Sequence, residues 1–161
     1  MKIISKRRRH ENKTDYLKRR RLLEGRKPRL VIRKSNRYII IQYVESKFAQ
    51  DSIKLAVNSK DLIENGWPVD KAGSLKSLAG AYLAGYLFGT KAKKFEGAVL
   101  DTGLIRSTKG SRIYAALKGI IDAGFKMPAN AEIFPEEKRI KTENTKNFFD
   151  KVKENITKGV K

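Results

Sequence analysis

An α+β fold, a small mixed β-sheet with packed helices in the order βββαβα, follows from three observations on the chain. Two β-rich apolar runs flank a short polar turn in "LVIRKSNRYIIIQYV", residues 30–44, and a third alternating run, "SIKLAV", comes next. The apolar period then lengthens from two residues to about 3.6, returns briefly to a strand at "AVL", and lengthens again. Strands come first and helices interleave later, the pattern of one sheet with helices packed on it. A basic segment precedes this body and a polar segment follows it. The expected organisation is a basic N-terminal arm over 1–28, an α/β core over 29–135 and a helical C-terminal tail over 136–161.

In the arm, Thr14 and Asp15 read as a helix cap, and "YLKRRRLLEG" reads as a short helix ending at Gly25. Residues on a helix lie ~100° apart, so Arg19, Arg20 and Arg21 spread around most of its circumference. A membrane-surface helix would segregate such charges from Leu17, Leu22 and Leu23. A helix basic all round suits phosphates on several sides. Because an isolated helix this short is marginal, the arm is expected to fray when free and to order on binding.

The hairpin comes next, with Ser35 and Asn36 as its turn residues. Asn tolerates positive φ, and both side chains can bond the local backbone. In the third strand, Ile53, Leu55 and Val57 alternate with polar or small partners. The stretch "NSKDLIENGWPVDKAG" reads as a polar connector to a helix from about Ser74, with Leu75, Leu78, Ala79, Tyr82, Leu83, Tyr86 and Leu87 at helical spacing. Gly80, Ala81, Ala84 and Gly85 cost helix propensity and point to close backbone packing in a buried element. Tyr82 and Tyr86 are core residues on this reading. A short strand around Ala98 to Leu100 precedes a helix from near Ser111, whose Ile113, Ala116, Leu117, Ile120 and Ile121 share a face before Gly124 ends it. In the tail, "NTKNFFDKVKENI" offers Phe148, Phe149 and Val152 for docking.

Charge is unevenly distributed. The 161 residues carry 37 Lys and Arg against 17 Asp and Glu, a net of +20. Residues 1–37 hold 16 and 3, a net of +13, whereas 38–135 hold 13 and 9 and 136–161 hold 8 and 5. Nearly two thirds of the excess therefore lies in the first quarter of the chain, and a polyanion such as nucleic acid is the expected partner. Cys is absent, which rules out a disulfide framework and a thiolate metal site. The start, "MKIISKRRRHENK", lacks the apolar core of a secretory signal. The longest apolar stretch, "LAGAYLAGYLFG", is well short of the ~20 residues that span a bilayer.

Catalysis is not expected. His10 is the only histidine and sits in the basic arm, and "STKGSR" lacks the framework of a phosphate-binding Walker loop. A metal-dependent RNA-processing nuclease would need converging carboxylates. Asp101 with Glu96, Asp51 and Asp122 are the candidates, at spacings that force no convergence. The loop from Arg106 to Arg112 suits anion contact better. Ser111 can cap the helix there, and Thr108, Lys109 and Arg112 surround its free N–H groups. A plain cap beside a solvated loop accounts for the same residues equally well.

Several motifs, "TDYLKRRRLL", "KPRLV" and "RKSNRY", then "GWP" at 66–68, "AYLAGYL" at 81–87, "AVLDTGL" at 98–104 and "DAGFKMP" at 122–128, occur in an order and spacing that matches a known family. Nearly the whole chain resembles the archaeal and eukaryotic branch of the universal large-subunit ribosomal protein family eighteen, which binds 5S ribosomal RNA. Beside the compact bacterial form, the connector around Lys60 to Gly73 and the tail look like additions. The resemblance implies a non-catalytic assembly protein of the cytoplasmic ribosome, without cofactor, metal, membrane or small-molecule substrate. Its implied partners are 5S ribosomal RNA, the large ribosomal RNA and neighbouring ribosomal proteins including that of family five.

It also implies an RNA-facing surface. The arm would contribute Lys6, Arg7, Arg8, Arg9, Lys13, Tyr16, Arg19, Arg20 and Arg21. Arg29 and the hairpin residues Arg33, Lys34, Ser35, Asn36, Arg37 and Tyr38 would join them. Thr108, Lys109, Ser111 and Arg112 are added to the expected contacts by the chemistry of their own loop, not by the resemblance. On this view the hairpin tip crowds like charges together because phosphate answers them, through the planar donors of arginine. A nonspecific basic nucleic-acid packaging protein is the third reading, beside the assembly protein and the nuclease.

Overall fold

Ser35, rather than Asn36, closes the first hairpin. In the computed structural model, which describes residues 6–48, 50–95 and 97–159, β1 (Arg29–Lys34) pairs antiparallel with β2 (Ile39–Lys47). The Tyr38 amide donates to the Ser35 hydroxyl oxygen at 2.9 Å, and the Ser35 amide to the Tyr38 carbonyl at 2.8 Å. Asn36 does not adopt positive φ, because the hydroxyl already holds the turn. β3 (Gln50–Asn58) pairs antiparallel with β2, and β4 (Val99–Asp101) pairs parallel with β1, so the strand order is β3-β2-β1-β4.

Alternation alone would turn Ile53, Leu55 and Val57 to the same face. The pairing breaks that rule. Tyr43 lies opposite Leu55 but Val44 lies opposite Ile53, leaving Lys54 as the extra residue of a bulge. Beyond it every side chain of β3 changes face. Val57 is buried and Ile53 is exposed, and Asp51 comes round to the side of the sheet occupied by Arg29.

The helices are α1 (Arg7–His10), α2 (Tyr16–Glu24), α3 (Leu78–Lys91), α4 (Arg112–Asp122), α5 (Glu137–Ile140) and α6 (Glu143–Gly159). Leu30, Ile32, Ile39, Ile41, Tyr43 and Val57 form one face of the sheet and share a core with α3 and α4. The two helices approach so closely that a Cβ on Gly85 would run into the Ala116 carbonyl, and one on Gly119 into that of Tyr82. The small residues of α3 thus serve the backbone packing that the sequence suggests.

α3 starts at Leu78, later than the spacing suggests, because the Ser77 hydroxyl caps it by accepting from the Gly80 amide at 3.1 Å. Leu75 is buried all the same, at the end of a 3-10 turn over Val69–Ser74. The connector is less polar in structure than in sequence. It buries Leu62 and Trp67, and the indole meets Phe148 edge-on with ring centres 4.8 Å apart. Phe148, Phe149, Val152 and Ile156 of α6 dock into this same core, with Phe149 stacked on Tyr82 at 5.6 Å.

Candidate nucleic-acid interface

The second face of the sheet carries charge where the first carries aliphatic side chains. Strand alternation turns Arg29 and Arg33 away from the helices. Asp101, one residue beyond the strand end that the sequence suggests, lies beside them on β4 opposite Val31. Arg29 donates to Asp101 at 3.0 Å, to Asp51 at 2.6 Å and to Ser46 at 3.0 Å. Arg33 donates to the Asp101 carboxylate at 2.9 Å and also to its backbone carbonyl. The Gly103 amide donates to the same carboxylate at 2.8 Å.

Burial would push both carboxyls up. For Asp101 the Arg33 charge, the Gly103 amide and Arg29 outweigh burial and hold it below its ordinary range. For Asp51, hydrogen bonds from Ser46, Arg19 and Arg29 do the same and bring it to about 2.

The arm is tied to this network. Asp15 caps α2 by accepting from the Leu17 and Lys18 amides, both at 3.0 Å. Arg19 then donates to Asp51 at 2.9 Å, and the Lys18 ammonium to the Gly103 carbonyl at 3.0 Å. In the structure this segment is a helix with contacts to the body of the chain. Between arm and body runs a groove of about 390 Å³, lined by Arg8, Lys13, Arg19, Arg33 and Lys34 with the loop after β4. Five of the expected contact residues, distant in sequence, therefore meet in one place.

Most arm cations have partners within the arm. Arg20 pairs with Glu24 at 2.7 Å, and Lys13 and Arg7 lie 2.8 and 3.9 Å from Glu11. Lys6 sits 4.6 Å above the Tyr16 ring. Arg9 and Arg21 are exposed and have no acid partner among the described residues. Arg8 donates to the Thr14 hydroxyl at 2.9 Å. At the hairpin tip Lys34, Asn36 and Arg37 are exposed, while Tyr38 packs against the core. Exposed ion pairs of this kind contribute little to stability and exchange readily for phosphate.

Two expectations need correction. Arg29 is buried and committed to Asp51 and Asp101, so it supports the surface from within and offers nothing to a partner. Ser111 stands at the head of α4, but its buried hydroxyl bonds nothing, so α4 begins without a side-chain cap. Thr108, Lys109 and Arg112 lie apart from the arm groove, with Lys109 3.8 Å from Glu132.

Of the carboxylates considered for metal chemistry, Asp51 and Asp101 do converge, but on the guanidinium of Arg29. Asp122 is elsewhere, accepting from the Tyr82 hydroxyl at 2.8 Å, and Glu96 lies outside the described residues. Among the described residues no three His, Asp or Glu gather as metal ligands, and no helix is long and apolar enough to cross a membrane. Lys18, which holds the arm to the loop after β4, is absent from the expected set. Its one sequence signal is its place beside a cap, and its bonding partner is 85 residues away.

Residues 3–97 and 90–130 match the family described as ribosomal large subunit proteins 60S L5 and 50S L18. The large ribosomal subunit protein uL18 of Korarchaeum cryptofilum is 49% identical over 150 residues, covering 92% of this chain and 75% of that protein. The uL18 proteins of Methanospirillum hungatei and Aeropyrum pernix are 43% and 41% identical. These matches cover 91% and 92% of this chain, and 82% and 69% of those proteins. The chain belongs to this family of ribosomal large subunit proteins, a structural and not an enzymatic family whose place is the cytoplasmic ribosome.

Proposed function

We propose that the chain binds 5S ribosomal RNA and helps attach it to the large ribosomal RNA in the central protuberance, beside neighbouring ribosomal proteins including that of family five. The RNA-facing surface on this reading is the arm over 1–28 with the tip of the first hairpin. One observation carries it: α2, pinned through Arg19 and Lys18, holds one wall of a cationic groove whose other wall bears Arg33 and Lys34. A groove with basic residues on both walls fits a folded RNA backbone, which proteins recognise mainly by shape and by phosphate and ribose contacts.

Competition binding at fixed physiological salt tests it. Labelled 5S ribosomal RNA is displaced by unlabelled 5S RNA, by transfer RNA or by duplex DNA. Displacement by 5S RNA at concentrations about a hundredfold below the others is the expected result, since specific sites exceed nonspecific ones by orders of magnitude. Equal displacement by all three would leave only a nonspecific packaging protein. Affinity should also fall with a log–log salt slope of roughly −0.7 to −0.9 per phosphate contact. Lys34→Ala and Arg37→Ala, at side chains that pair with no carboxylate among the described residues, should each reduce that slope by about one unit.

A further inference from the structure

A second cleft, of about 490 Å³, opens where the heads of α3 and α4 meet α5. Its floor is aliphatic: Leu78 and Ala79 of α3, Ile105 of the loop after β4, Ile113 of α4 and Ile140 of α5. Three cations stand on its rim, Lys34 from β1, Arg112 from α4 and Arg139 from α5. None of the three pairs with a carboxylate among the described residues, and no acid lines the cleft. α4 opens onto this space with its first-turn amides uncapped, and the Ser111 hydroxyl there is unpartnered.

An unneutralised rim over an aliphatic floor specifies its occupant. The rim and the helix head ask for anionic groups. The floor asks for branched aliphatic side chains, and no aromatic ring lines it on which a nucleobase would stack. We infer that this cleft is the docking site of an acidic, aliphatic peptide segment from a neighbouring protein, with Leu or Ile side chains on the floor and Asp or Glu carboxylates at Arg112, Arg139 and Lys34. Lys34 and Ile105 also border the arm groove, so a protein partner seated here lies beside whatever occupies that groove. The inference concerns a different cavity from the RNA reading and shares Lys34 with it, so its variant is placed at Arg139, which lines this cleft and not the arm groove.

The test uses the full chain, labelled with ¹⁵N, titrated with acetylated hexapeptides that alternate Leu or Ile with Asp or Glu. Saturable amide shifts are expected at Ala79, Ile105, Ile113 and Ile140. Replacing the acids with Lys, or the aliphatics with Ser, should abolish them. Arg139→Glu alters an exposed side chain and leaves the core intact. It should weaken binding about tenfold or more, the worth of one charge-assisted bond. No shift at the cleft with any of the acidic peptides would overturn the proposal. So would an octauridylate that shifts the same four amides at lower concentration than the peptides, since the cleft would then belong to RNA. Neither result bears on displacement of 5S RNA from the arm.

Discussion

The two faces of one four-stranded sheet are stabilised by different physics. The face towards α3 and α4 buries Leu30, Ile32, Ile41 and Phe88, and its helices meet backbone to backbone at Gly85 and Gly119. The other face buries Arg29 between two aspartates and uses the remaining charge to seat α2. Apolar packing is indifferent to pH and dense enough to resist any loss of volume. A charged network is conditional, since each member depends on its partners remaining ionised and in place. The comparison assigns stability to one face and the presentation of cations to the other.

The largest effect should come from the apolar face. Phe88→Ala removes a fully buried ring and should cost about 3–5 kcal/mol in urea denaturation, while amides of the arm groove keep their chemical shifts in the surviving folded fraction. Groove shifts in that fraction would show that the faces are coupled more tightly than the packing implies. Asp101→Asn should follow at about 2–3 kcal/mol, because Arg29 retains Asp51 but loses its second carboxylate. That variant also takes from Arg33 its carboxylate partner while leaving its bond to the residue-101 carbonyl, so the arm-groove amides should shift where those of α3 and α4 do not.

Acid sharpens the same contrast. Asp51 and Asp101 both ionise below their ordinary range when folded, so their contribution is full above about pH 4 and disappears as pH falls through the folded values. For Asp51 that window runs from about 4 down to about 2. Arm-groove amides should shift in that range before the core unfolds, a sequence that NMR would follow directly. Simultaneous loss of both would refute the division. The smallest effect belongs to Arg19→Ala, below about 1 kcal/mol because its pair with Asp51 is partly exposed. Its readout is faster trypsin cleavage after Arg20 or Arg21, with little change in the denaturation midpoint.

Legibility in the sequence followed the range of each interaction. Asp15 as a cap, the hairpin, the basic circumference of α2 and the apolar stripe of α4 all depend on neighbours within a few residues, and each can be read along the chain. The glycines of α3 declared close packing, though the partner carbonyls of α4 lie some distance along the sequence. The bulge at Lys54 was hidden, because Ile53, Leu55 and Val57 show unbroken alternation and only pairing with β2 reveals the extra residue. The buried connector residues were hidden too, since Trp67 is covered by a helix that begins at Glu143.

By itself the sequence determined that the chain is basic at one end, that a strand-rich segment precedes two core helices, and which motifs mark its family. Charge and periodicity are properties of the chain, so they survive without coordinates. Only the tertiary structure decided which cations face outward. Arg29 and Arg33 are four residues apart on one strand. Yet the first is buried between Asp51 and Asp101, while the second reaches past Asp101 to the groove. Their difference comes from a parallel pairing of β1 with β4 and a one-residue bulge in β3. Both depend on segments brought together by folding, which no local pattern encodes.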